Sequence, residues 1–93
     1  MGQAERNALS AAQIRAARAL LGWSADELSR ESAVSLRTIR RAELAQGNTS
    51  MTSANDLAIR RAFERAGVIF IDENGGGPGV RLRQRSGPKG RKS

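Results

Sequence analysis

Apolar residues recur along the first two thirds of this chain at helical spacing and then switch to a period of two. Ile14, Ala17 and Leu21 fall at i, i+3 and i+7 with Leu20 beside them, which predicts an amphipathic helix from about Ala11 to Leu21 that faces a core. Leu9, Ser10, Gln13 and Ile14 form its start, a capping box with a hydrophobic staple, and Gly22 is its left-handed stop. Ser24 with Glu27, and Trp23 with Leu28, repeat that start for a second helix. Ser35 repeats it eleven residues later, with Val34 and Ile39 at the staple positions and Thr38 in place of the glutamate. In the third helix Ile39 and Ala42 are expected to face inward, with Leu44 continuing the seam. Residues 45–50 read as a polar connection. A fourth helix fits from about Ser53 to Ala66, with Ile59, Ala62, Phe63 and Ala66 on one face and Gly67 just beyond its end.

The eight residues from Ala25 to Ser32 hold only about two helical turns, and a turn centred on Ala33 and Val34 follows. The next capped helix must therefore project from the second rather than extend it, which is a helix-turn-helix over residues 24–43. After Gly67 the run Val68-Ile69-Phe70-Ile71, a glycine-rich stretch over 72–79, and Val80-Arg81-Leu82-Arg83 predict two short strands. The fold expected is mainly α, a four-helix helix-turn-helix domain (1–67) followed by two β-strands (68–83) and a disordered basic tail (84–93).

A lone two-stranded hairpin is marginal in water, and four apolar residues in its first strand exceed what one covered face needs. Val68, Ile69, Phe70, Ile71, Val80 and Leu82 are accordingly expected to seal a homodimer. The competing arrangement is a hairpin folded back on its own helices.

Charge sharpens this picture. The 93 residues carry 16 basic and 9 acidic groups, net +7. Arg81, Arg83, Arg85, Lys89, Arg91 and Lys92 lie in residues 80–93 without an acid, so the charge is concentrated in the tail and in the cluster Arg37, Arg40 and Arg41. Both point to a polyanionic partner. For the tail, simple solubilisation is an equal competitor. No cysteine or histidine is present, which excludes disulfides, thiolate metal sites and imidazole chemistry. The longest apolar run is Val68 to Ile71, and the amino terminus lacks a signal-peptide core, so a cytoplasmic protein without a membrane partner is expected.

With Val34, Ile39 and Ala42 facing inward, the third helix exposes Ser35, Leu36 and Arg37 near its start and Arg41 one turn further on. Arginine reaches guanine O6 and N7 with two hydrogen bonds, and leucine can contact a thymine methyl, so Leu36, Arg37 and Arg41 are the candidate base readers. Arg40 and Thr38 are candidates for phosphate. The competing explanation is a solvated face whose arginines pair with Glu31 or Glu43.

The run Leu-Leu-Gly-Trp-Ser-x-x-Glu-Leu-Ser, followed by Val-Ser-x-x-Thr-Ile-x-x-x-Glu, resembles the Cro/phage-repressor-like helix-turn-helix regulators, the Xre family, over about Ser10 to Glu43 and more loosely to Gly67. The resemblance implies base contacts from Leu36, Arg37 and Arg41, and phosphate contacts from Ser35, Thr38 and the start of the second helix at Ser24. Three positions depart from the family pattern: Ala25 replaces a common glutamine, Ser29 a common alanine, and Ala33 the turn glycine. The first removes a polar contact to DNA. The last must accept a backbone angle that glycine takes more easily. The family's fifth helix is replaced by the strand segment.

Gly75-Gly76-Gly77-Pro78-Gly79 lacks the Lys-Ser/Thr and following helix of a phosphate loop, and reads as a turn. No catalytic constellation, metal site or cofactor site assembles, so the chain is not expected to be an enzyme. The expected function is sequence-specific binding of double-stranded DNA at a palindromic operator, as a homodimeric transcription regulator. Two alternatives stand beside it: a protein-binding adaptor or antitoxin-like module with a regulatory protein partner, and an architectural DNA binder in recombination.

Overall fold

The computed structural model describes residues 8–46, 49–72 and 75–83. Four helices, α1 (Ala11–Leu21), α2 (Ala25–Ser32), α3 (Leu36–Leu44) and α4 (Ser53–Arg65), precede strands β1 (Val68–Ile71) and β2 (Gly79–Leu82). The chain is mainly α with a short antiparallel hairpin, as its patterning predicts. The expected basic tail at 84–93 lies outside the described residues.

Each helix begins where its cap is encoded. Ser10 Oγ accepts from Gln13 N–H at 3.0 Å while Gln13 Oε1 accepts from Ser10 N–H at 3.0 Å. Ser24 and Glu27 exchange the same pair at 3.0 and 2.7 Å. Ser35 and Thr52 accept from Thr38 and Asn55 N–H. Such bonds satisfy amide groups that the helix itself leaves without acceptors. At the other end of α1, Gly22 adopts φ +69°, the left-handed conformation that costs glycine least.

The turn between α2 and α3 is held by two serines. Ser29 Oγ donates to Val34 O at 2.7 Å and Ser32 Oγ accepts from Val34 N–H at 3.1 Å, around Ala33 at φ +63°. The hydroxyl of Ser29 thus has a task an alanine could not perform.

Leu9, Ile14, Ala17, Leu28, Val34, Ile39, Ala42, Ile59, Ala62, Phe63 and Val68 form one buried core. Phe63 lies at its centre, stacked on Trp23 (centroids 5.6 Å apart) and edge-on to Phe70 (5.9 Å). Leu44 departs from expectation: it is 82% exposed instead of continuing the inward seam. Five residues beyond Ile39, at about 100° per residue, it lies on the opposite side of the helix.

The hairpin pairs Val68 with Leu82, Ile69 with Arg81, Phe70 with Val80 and Ile71 with Gly79. It folds back on its own helices. Val68 is buried, and Phe70 and Val80 pack on the core, so three of the six side chains expected to seal a dimer are occupied within their own chain. β2 packs along α1 and β1 along α4. Gln13 Nε2 fastens the hairpin by donating to Ile71 O at 3.3 Å and Gly79 O at 3.1 Å. Ile69, Ile71 and Leu82 retain solvent exposure.

Candidate nucleic-acid interface

Arginines divide into two groups, one that holds the frame and one that projects from it. Arg18 of α1 grips both carboxylate oxygens of Glu43 on α3, at 2.7 and 2.8 Å, and its remaining nitrogen donates to Trp23 O at 3.0 Å. Arg15 donates to Glu43 O at 2.5 Å, and Arg65 of α4 donates to Glu31 O at the end of α2. The Glu43 carboxylate raises the Arg18 guanidinium above its ordinary pKa, against the opposing effect of burial. Glu43 is therefore held by α1, and does not neutralise the arginines of its own helix.

Arg37, Arg40 and Arg41 form the second group. All three are exposed, and none makes a hydrogen bond or ion pair among the described residues. Opposite the buried Ile39 and Ala42, they occupy one face of a helix whose start is fixed by Ser35 and whose end is fixed at Glu43. The arrangement presents three planar cations, each with five N–H donors, on a nine-residue helix narrow enough for a major groove.

The remaining candidates are distributed unevenly around this face. Leu36 is half-buried at its flank rather than fully outward. Ser35 is exposed, and its hydroxyl both accepts from Thr38 N–H and donates to Thr38 Oγ1 at 2.9 Å. That leaves the proton of the Thr38 hydroxyl available to an acceptor. Ser24, at the start of α2, is exposed but locked in its capping box, beside the carboxylates of Asp26 and Glu27 in the first turn. The first turn of α2 is acidic, and Ala25 beside Ser24 offers no polar group.

Two residues that hold the site in place are marked by nothing local in the sequence. Arg15 and Arg18 position α3 from residues 28 and 25 positions away. Among the described residues no group of three or more His, Cys, Asp or Glu side chains is arranged to hold a metal, and no helix is long and apolar enough to cross a membrane.

A comparison with protein-family models finds no match to this chain, and none of the curated proteins matches it.

Proposed function

We propose that this chain is a Cro/phage-repressor-like regulator that binds duplex DNA sequence-specifically in the cytoplasm, with α3 in the major groove. One observation carries the reading: the Arg37, Arg40 and Arg41 side chains stand unpaired and exposed on one face of a short, capped helix whose last turn is held through Glu43 by Arg15 and Arg18. Arg37 and Arg41 are assigned to base edges, with Leu36 beside them. Arg40, Ser35 and Thr38 are assigned to phosphates. Ser24 is assigned to phosphate as well, without the neighbouring polar contact that the family pattern implies, because Ala25 stands there.

A homodimer on a palindromic operator completes the proposal, with half-sites about 10 bp apart or a multiple of it. Half-buried Ile69 and exposed Ile71, on the face of β1 turned away from Val68 and Phe70, remain for that contact. The decisive experiment is selection of duplexes from a random-sequence library by the full chain, followed by affinity measurement across a range of salt. Recovery of a symmetric consensus, bound well above scrambled DNA at every salt concentration, supports the reading. Uniform binding to all duplexes would instead identify an architectural binder, and no retention of DNA would leave the protein-adaptor reading.

A further inference from the structure

Leu44 is the most exposed large apolar residue described, at 82%. A single exposed leucine ordinarily needs no explanation. This one has a particular address. It lies seven residues beyond Arg37, four beyond Arg40 and three beyond Arg41, so helical geometry places it in line with all three on the face opposite Ile39 and Ala42. Helical side chains lean back over the preceding turn, which directs Leu44 into the arginine row. Leu36, by contrast, sits half-buried at the edge of that row.

Nor is Leu44 on a frayed end. Glu43, immediately before it, is held at its carbonyl by Arg15 and at both carboxylate oxygens by Arg18. The α1 framework therefore fixes the backbone from which Leu44 projects, and a fixed apolar side chain among free guanidinium groups is suited to reading rather than to covering a core.

We infer that Leu44 is a specificity-determining residue that packs on a thymine C5-methyl group in the major groove. The inference rests on the DNA-binding reading above. The thymine methyl is the one apolar group that base pairs present in that groove, and a leucine against any other base edge strips water from polar atoms without replacing their hydrogen bonds. From Arg37 to Leu44 the helix rises about 10 Å at 1.5 Å per residue. A helix seated in the groove runs oblique to the duplex axis, so at about 3.4 Å per step the thymine lies within about three base pairs of the position that Arg37 reads.

The test uses the full chain and a duplex recovered by selection from a random-sequence library. Thymine is replaced by deoxyuridine, position by position, which removes the methyl group and keeps base pairing and O4. At one position in each half-site, wild-type affinity should fall about fourfold, the effect of one buried methyl-sized group. Leu44→Ala should bind the thymine duplex more weakly by a similar factor and be indifferent to deoxyuridine at that position, while preference at the Arg37 position persists. Equal sensitivity of wild type and Leu44→Ala to deoxyuridine, or no sensitive position, would overturn the assignment while leaving DNA binding in place. Failure to retain any duplex would overturn the DNA-binding reading itself, and this inference with it. Because Leu44 is exposed, an unchanged melting temperature separates lost readout from lost folding.

Discussion

Arg18 and Glu43, 25 residues apart, form a two-pronged ion pair that joins α1 to the last turn of α3, with Nε to Oε2 at 2.7 Å and Nη2 to Oε1 at 2.8 Å. The pair is mostly shielded from water, its side chains 24% and 11% exposed. Its planar geometry belongs to arginine, because a lysine ammonium is a point charge that cannot engage both oxygens in parallel. Arg18→Ala is expected to destabilise the fold by about 1 to 3 kcal/mol, and Arg18→Lys to recover only part of that. Urea denaturation of the two variants measures it, and full recovery by lysine would show that charge alone suffices.

Gln13 performs two tasks with one side chain, capping α1 through Oε1 and holding the hairpin through Nε2. Gln13→Ala should cost about 2 to 3 kcal/mol, the sum of a few hydrogen bonds at about 1 kcal/mol each. Gln13→Glu separates the roles. Its carboxylate can still cap Ser10 N–H, but it faces the carbonyls of Ile71 and Gly79 without a donor. Amide hydrogen exchange should then accelerate in residues 68–71 and 79–82 while protection of α1 is retained. Equal loss in both regions would refute the division.

Asp56 accepts from Leu9 N–H at 2.9 Å across the α1–α4 junction. Burial raises its carboxyl above the ordinary value of 3.8, outweighing the Leu9 hydrogen bond and the charge of Arg60, which lower it. A folded-state pKa above the unfolded one means that the native chain binds this proton more tightly. The associated stability is full below 3.8 and is lost as pH rises through the folded value. Asp56→Asn keeps an oxygen acceptor for Leu9 and does not titrate. The stability of this variant relative to wild type should therefore increase between pH 3.5 and 6, as read from paired denaturation curves. A decrease would mean that the hydrogen bond and Arg60 dominate.

Ala33 holds φ +63° in the turn before α3, a conformation that a side chain disfavours by about 1 to 2 kcal/mol. Ala33→Gly should raise the unfolding midpoint by up to about 1 kcal/mol of stability, since glycine's greater freedom in the unfolded chain offsets part of the relief. A destabilised variant would show that the serine hydrogen bonds have already removed the strain.

Arg37→Ala and Arg41→Ala should each lower affinity for a selected duplex by about 1 to 3 kcal/mol and relax preference at one base pair per half-site. Arg40→Ala should weaken all duplexes alike and reduce the salt slope by about 1. Measured against single-base variants of the duplex, unchanged preference in both Arg37 and Arg41 variants would refute their assignment to bases.

The amino-acid sequence by itself determined where the helices begin and end. Ser10–Gln13, Ser24–Glu27 and Ser35–Thr38 are contacts within three residues, and Gly22 supplies a conformation that depends on its own backbone. The candidate interface was partly legible for the same reason, since Arg37 and Arg41 share a face through helical spacing alone. Only the tertiary structure decided which arginines are free and what covers the core. Arg18 reaches Glu43 across 25 residues, and Gln13 reaches Ile71 and Gly79 across 58 and 66. Local patterning carries no record of such pairings, because they depend on which elements meet once the helices pack. Contacts of β2 with α1 and of β1 with α4 turn Val68, Phe70 and Val80 towards their own chain. Leu44 needed no such contact to face out, because helical phase alone sets it opposite Ile39.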